Sequence, residues 1–364
     1  MRILFIINTL AMGGAERVGS ILCNAWAAQG HEIVLVQTYS GGGCNFFQVA
    51  PSIRQEMLGC QVGRRSFFDI LRRIARLRRL ARDFEPDVVV SFLTSVNLLT
   101  LAATSGLGLR RIIAERTDPV CMPLPGIMRW GCRLLYRFAD MVIVQNNQQG
   151  ARLESLYGRM PRLTAIANPL PEHLPEQGRR RADEPFRLIS LGRLDPGKRI
   201  DMIITAFQRL APDRPDWELH IFGDGPDLAR LEKQARSGHE AARIHFKGRT
   251  DKALHVLADA DIYASASTFE GFPNALMEAM AVGLPTLSTD CPCGPREMTD
   301  HGKAGLLVPV NDEQAFTEAL AQLMDDATLR RLLGERAATQ IRTLCSQDVV
   351  LEQWHQAFAQ LGAK

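Results

Sequence analysis

The stretch "ANPLPEHLPEQGRRRADEP" (residues 167–185) divides the chain into two halves. Four prolines and a basic, polar run interrupt the periodic pattern, which is the composition of a linker. Before it, short apolar runs alternate with helical patterns: "RILFII" (2–7), "EIVLVQT" (32–38), "PDVVVSF" (86–92), "RIIAE" (111–115) and "DMVIVQ" (140–145) read as strands. After it the alternation restarts with "FRLISLG" (186–192), "WELHIFG" (217–223), "RIHFKG" (243–248), "DIYASAS" (261–267), "PTLST" (285–289) and "AGLLVP" (304–309). Continuous β-branched runs suit strands covered on both faces, so each half is expected to be a parallel, doubly wound α/β sheet. The expected boundaries are a first domain over 1–170, a linker over 171–185, a second domain over 186–345 and a terminal helix over 346–364. Trp354, Phe358 and Leu361 are placed to dock one face of that helix. Two such sheets facing across a cleft would bind a ligand at the C-terminal ends of their strands.

Composition narrows the function classes. The 364 residues are 46% hydrophobic and 23% charged, as in a globular protein, and favour two domains over one. A net charge of +3 gives no reason to expect a nucleic-acid partner. The eight cysteines (23, 44, 60, 121, 132, 291, 293 and 345) are scattered, which fits reduced thiols. Cys291-Pro-Cys293 lacks the second pair or histidines that a zinc site needs. The apolar run at the N-terminus is broken by Asn8, too early for a signal peptide, and no run approaches the roughly 20 apolar residues of a membrane span. A cytoplasmic protein is expected.

Four segments stand where a strand gives way to a helix. In "NTLAMGGAER" (8–17), Gly13 and Gly14 allow close approach of backbone to a ligand, and the following helix offers its N-terminal amides to an anion. The G-x-G-x-x-G dinucleotide fingerprint is missing. In "SLGRLDPGKRID" (190–201), Arg193 and Lys198 flank a Pro-Gly turn, and two cations there fit a diphosphate. In "FGDGPD" (222–227), a tight turn would bring Gly223 and Gly225 close to a ligand, as donor-binding candidates. In "STFEGFPNALMEAMAVGLP" (267–285), Glu270 and Glu278 bracket a helix start at Gly271, Phe272, Pro273 and Asn274. Near a bound phosphate, carboxylates accept from hydroxyls of a ribose or sugar. Cations, amides and hydroxyl-accepting carboxylates together describe a nucleotide-sugar site, although each segment taken alone also reads as an ordinary structural turn.

These segments, in this order, resemble the family 4 retaining glycosyltransferases: E-x7-E at Glu270 and Glu278, "GRLDPGKR", "GDGP" and the N-terminal "GGAER". The resemblance spans nearly the whole chain and is strongest over 186–310. It implies the GT-B fold, two Rossmann-like domains, and no cofactor or metal. It implies that Arg193 and Lys198 bind the donor diphosphate, that Glu278 accepts from the ribose, and that Glu270 accepts from the transferred sugar. The amides of Phe272 to Asn274 would contact that sugar or the β-phosphate. Gly13 and Gly14 would cover the phosphates, and the segment of Lys247, Gly248 and Arg249 would lie near the base. Retention by same-face attack is implied, with no nucleophile assigned to Glu270.

The chain departs from the family where many members carry a histidine after the strand corresponding to 111–115. Here the loop reads "AERTDP", and Arg116 and Asp118 are the candidates for an acceptor phosphate and hydroxyl, against the reading of a surface turn. The D-x-D of Asp259 and Asp261 is not expected to hold a metal, because it lies away from the donor loops. The segment "RRSFFDILRRIARLRRLARDF" (64–84), with eight arginines, reads as a basic amphipathic helix suited to an anionic membrane surface. The same pattern would serve an ordinary domain helix with its arginines in solvent. "PLPGIMRWGCRLLYRFAD" (123–140) adds Trp130 and Tyr136 among arginines. In the family such a surface often accompanies a polyprenyl-diphosphate-linked acceptor, which places the protein peripherally on the inner face of the cell membrane. The alternatives are a transferase with a soluble acceptor, a sugar-nucleotide epimerase, and a non-catalytic nucleotide-sugar-binding module.

Overall fold

The structure, a computed structural model, describes residues 1–11, 13–39, 45–59, 67–118, 124–176, 178 and 184–363. The chain forms two compact units, Met1–Pro169 together with Gln347–Lys364, and Leu170–Ser346.

The first unit holds a seven-stranded parallel sheet of β1 (Arg2–Ile7), β2 (Glu32–Gln37), β3 (Arg54–Met57), β4 (Val88–Phe92), β5 (Arg111–Ala114), β6 (Met141–Val144) and β7 (Leu163–Ala165). Their order is β3-β2-β1-β4-β5-β6-β7, the doubly wound arrangement with its switch between β1 and β4. Alternate residues of β1 feed opposite layers. Ile3, Phe5 and Ile7 pack with Leu22 and Trp26 of the helix Gly14–Ala28, whereas Leu4 and Ile6 pack with Leu77, Ala81 and Phe84 of the helix Phe67–Phe84.

The last helix, Gln347–Gln360, joins this unit rather than the one that precedes it in sequence. Trp354 and Phe358 are fully buried, each with its ring centroid 5.4 Å from that of Trp26, and Leu361 packs on the same core. Burying one such large apolar side chain is worth about 1.5–3 kcal/mol, so these aromatics hold the helix to the first sheet.

The second unit holds a six-stranded parallel sheet of β8 (Phe186–Leu191), β9 (Trp217–Phe222), β10 (Ile244–Gly248), β11 (Ile262–Ser265), β12 (Thr286–Thr289) and β13 (Leu306–Val308). The order β10-β9-β8-β11-β12-β13 repeats the first topology, so both expected doubly wound sheets are present. One face, carrying Leu188, Leu219, Ile262 and Leu287, is covered by the helices Ile200–Leu210 and Glu313–Asp325. The helix Asn274–Ala281 contacts β11 and β12. The chain passes between units at Pro169 and Leu170 and again at Ser346 and Gln347. Near these passages the Leu170 N–H donates to the Cys345 carbonyl at 2.7 Å. Most of the segment 177–183 lies outside the described residues, apart from Gly178, whose N–H donates to the Ala258 carbonyl at 2.9 Å.

The five described cysteines, Cys23, Cys132, Cys291, Cys293 and Cys345, are free and buried, and the other three lie outside the described residues. Among the described residues no helix is long and apolar enough to cross a membrane.

Candidate active site

In the second unit the loops at the C-terminal ends of β8, β9, β10 and β11 are joined by backbone hydrogen bonds. The Leu194 N–H donates to the Asp224 carbonyl at 3.0 Å, and the Gly223 N–H to the Gly248 carbonyl at 2.8 Å. The Thr268 N–H donates to the Gly197 carbonyl at 2.8 Å. The glycines of "GDGP" serve this joining. A Cβ on Gly223 would stand 1.8 Å from the Gly192 carbonyl oxygen, and one on Gly225 would stand 2.2 Å from that of Leu194. Gly223 also has a φ of +137°, so only glycine fits. These two residues therefore shape the site through the neighbouring loop. Gly248, with a φ of +70°, has open space around it, and Arg249 pairs with Asp224 at 3.0 Å.

Lys198 and Glu270 are brought together. The ammonium donates to both carboxylate oxygens, at 2.6 and 2.8 Å, with the side chains 28% and 11% exposed respectively. Local chemistry sets each partner. Asp195 accepts from the Gly197 N–H at 3.0 Å and caps a short 3-10 turn, Pro196–Lys198, with proline at its start. Arg199 then takes a left-handed φ of +47° before the helix Ile200–Leu210. Its guanidinium pairs with Asp201 at 3.1 Å and Glu313 at 3.6 Å, which ties the turn down behind Lys198. The Ser267 hydroxyl donates to Glu270 at 2.7 Å, and Thr289 in turn donates to the Ser267 carbonyl at 2.6 Å.

Arg193 stands apart from this pair. Its side chain is 73% exposed and pairs with Asp195 at 3.7 Å. Glu278 is buried within the helix Asn274–Ala281, and both it and Glu270 help to raise the pKa of the buried Tyr263 phenol, after burial itself. That helix follows Pro273, whose side chain makes no capping hydrogen bond, and the Asn274 N–H donates to the Phe272 carbonyl at 2.9 Å. Gly271 and Phe272 in the preceding turn and Asn274 at the first position of the helix are half-buried, and Pro273 packs under Gly294. Ser267, Thr289 and Cys291 were missed by sequence reasoning. Burial, then Glu270, raises the Cys291 thiol pKa, while Lys198 lowers it, which places this thiol beside the ion pair. The alternation of Ser265 and Ser267 along one strand face was the available signal for the first of them.

Asp261 lies at the opposite end of the strands, where its carboxylate accepts from the Arg187 N–H at 2.8 Å.

In the first unit, Glu115, Arg116 and Asp118 after β5 are buried, which goes against the alternative of a surface turn; residues 119–123 lie outside the described residues. Glu115 accepts from Thr94 at 2.8 Å and Asn97 at 3.3 Å, and also from the Tyr136 hydroxyl; burial raises its pKa. Arg116 lies over the Phe92 ring at 3.9 Å and donates to Asn168 at 2.7 Å. Burial pushes its pKa down to about 9, against the opposing pull of Glu115, so it stays charged at neutral pH. Its Nε and Nη2 have no hydrogen-bond partner among the described residues. Asp118 is buried and ion-paired with Arg152 at 2.8 Å. Gly13 precedes the helix Gly14–Ala28 in extended conformation, and a Cβ there would stand 2.2 Å from a Glu16 carboxylate oxygen, the far end of a flexible side chain.

The two units are doubly wound α/β sheets of the kind that bind ligands at their strand ends, and comparison with known proteins gives the family. Residues 175–340 match the family described as glycosyl transferases group 1, and residues 13–169 match a glycosyl transferase 4-like domain. The chain belongs to the family 4 glycosyltransferases of the GT-B fold. It is 33% identical over 302 residues to an exopolysaccharide phosphotransferase of Streptomyces coelicolor, covering 82% of this chain and 31% of that protein. The chain thus spans about a third of that relative's length. It is 26% identical over 350 residues to a Campylobacter jejuni enzyme, covering 93% of this chain and 92% of that one. That enzyme is named GalNAc-alpha-(1->4)-GalNAc-alpha-(1->3)-diNAcBac-PP-undecaprenol alpha-1,4-N-acetyl-D-galactosaminyltransferase. The crystal structure of Anabaena HepE in complex with UDP shares the fold, with a TM-score of 0.83, 16% identity, and coverage of 99% of this chain and 100% of that one.

Proposed function

We propose that the chain transfers a hexose or N-acetylhexosamine from a UDP-sugar to a glycan carried on polyprenyl diphosphate, with retention of anomeric configuration. The observation that carries this reading is the Lys198–Glu270 pair, held by the loops that lead into the helices Ile200–Leu210 and Asn274–Ala281. An ammonium has three donors, so Lys198 can keep Glu270 and still donate to a diphosphate oxygen. Arg193, exposed on the same loop, supplies a second cation, and the helix amides a third source of positive potential. As the bond from the anomeric carbon to the phosphate oxygen breaks, these groups meet the charge that grows on the leaving diphosphate. The acceptor hydroxyl attacks the same face of the sugar, and its proton passes to the departing phosphate oxygen. Glu270 orients Lys198 and accepts from the sugar, and Glu278 accepts from the ribose. The UDP complex of the Anabaena protein supports the choice of nucleotide, and the name of the Campylobacter relative supports a diphosphate-linked lipid acceptor.

Arg116 is assigned to an acceptor phosphate, because it is charged, buried and has two unpaired nitrogens. Asp118 is assigned to an acceptor hydroxyl beside it, although its carboxylate is already shared with Arg152. Membrane docking is assigned to the first turns of the helix Phe67–Phe84 and to the helix Gly126–Leu135, both packed on the helix Thr94–Thr104. Phe68, Ile70, Leu71, Ile127 and Trp130 are exposed there with Arg72 and Arg79, and Arg76, also exposed, donates to the Leu58 carbonyl at 2.9 Å. Incubating the protein with a panel of nucleotide sugars and soluble or lipid-linked acceptors, with products identified by mass, tests the whole reading. Transfer to undecaprenyl-diphosphate glycans from a UDP-sugar is expected, and transfer only to soluble acceptors would remove the lipid part.

A further inference from the structure

Glu218 and His220 are alternate residues of β9 and therefore project from one face of the sheet. It is the face opposite Trp217, Leu219 and Ile221, which are buried in the core of the second unit. On the edge strand β10, His245 is paired in register with His220. The three side chains converge. His220 Nε2 and His245 Nε2 lie 2.9 and 3.4 Å from the same Glu218 oxygen, and one ligating atom from each residue lies within 4.8 Å of the other two. They are 28% (Glu218), 15% (His220) and 32% (His245) exposed, so solvent reaches the cluster.

We propose that Glu218, His220 and His245 form a binding site for a borderline divalent transition-metal ion, Zn2+ above all, that ties the edge strand β10 to β9. Bond lengths of about 2.0–2.1 Å give a tetrahedral ligand–ligand spacing of about 3.3 Å, close to two of the separations already present. Two imidazoles and one carboxylate select zinc, cobalt or nickel over magnesium or calcium, which prefer all-oxygen shells. Partial exposure leaves room for water as a fourth ligand. Burial, Lys247 and His245 all favour the neutral form of His220, the form that offers a lone pair, while Glu218 opposes them. Lys247 is the cation facing the cluster and sets a limit on affinity.

The consequence for the fold is local. The register of β10 against β9 shifts between Phe246 and Gly248, directly after His245. A metal bridge at His245 would fix the edge strand just before that irregularity, beneath the loops of Gly223 and Gly248. The inference uses only this sheet face and does not depend on the identity of donor or acceptor.

The test uses the full chain, stripped with chelator and then titrated separately with zinc, cobalt(II) and magnesium chloride. One zinc per chain is expected after desalting, together with a visible-region cobalt band. Saturating zinc should raise Tm by about 3 °C or more, and magnesium should not. His220→Gln and His245→Gln should each abolish the cobalt band. If His220→Gln fails to fold, His245→Gln on the exposed edge carries the test. Wild-type protein that retains no zinc would overturn the proposal and leave a hydrogen-bonded cluster that only titrates. Undiminished zinc binding in both variants would also overturn it, since the ion would then be held elsewhere.

Discussion

Lys198 sits in a pre-formed ion pair, and that changes what its removal should do. Replacing Lys198 or Arg193 with Ala is expected to lower kcat/KM by on the order of 10²–10³, the effect of losing one electrostatic donor in the transition state. Near wild-type turnover in Lys198→Ala would remove the diphosphate assignment. Glu270 holds Lys198, and under the proposed function it also faces the transferred sugar, so Glu270→Gln should lower kcat with a smaller change in KM. Because the two residues act as one unit, the double variant Lys198→Ala/Glu270→Gln should lose less than the product of the single losses. Multiplicative losses in that cycle would show that the pair seen at 2.6 Å has no part in turnover. Under the proposed function Glu278 accepts from the ribose, a contact similar in ground and transition states, so Glu278→Gln should raise donor KM more than it lowers kcat. Steady-state kinetics with varied donor distinguish the two glutamates, and exchanged phenotypes would mean the donor lies the other way round. Added magnesium or manganese should restore neither variant.

At the scale of elements, the helix Phe67–Phe84 is a domain helix over its later turns and leaves apolar side chains exposed over its first. Leu77, Ala81 and Phe84 are buried in the first unit, while Phe68, Ile70 and Leu71 are exposed at its start. Charge reversal at Arg72, Arg76 and Arg79 is expected to release the protein from acidic liposomes, and binding of the wild type should weaken as salt rises. Indifference of the wild type to acidic liposomes at low salt would end the membrane assignment. The same scale shows what could be read in advance. Eleven strands announced themselves as apolar runs, because parallel strands covered on both faces need them. The strands β3, "RQEM", and β7, "LTA", did not, since a short edge strand needs no apolar run to be paired on one side. The loop of Glu115 to Asp118 was legible as polar but not as buried, because its partners Tyr136, Asn97 and Asn168 come from distant parts of the chain. The pairing of Lys198 with Glu270, 72 residues apart, was hidden for the same reason, although both residues were readable as site candidates.

At the scale of the whole molecule, the last helix belongs to the first unit, and Trp354 should be among its most consequential residues. Trp354→Ala removes a fully buried ring from contact with Trp26, Phe92 and Phe358. A loss of about 3–5 kcal/mol is expected, seen as a lower denaturant midpoint for the transition of the first unit alone. An unchanged midpoint would mean that the terminal helix contributes nothing to that core. The return of the chain to its first unit also orders events during synthesis. Residues 1–169 emerge from the ribosome long before 347–364, so the aromatic face of Trp26 and Phe92 must wait while the entire second unit is made. At about 5–20 residues per second, that interval is on the order of ten to thirty seconds. Throughout it the nascent chain carries an uncovered apolar surface, and the unit made first is the one completed last.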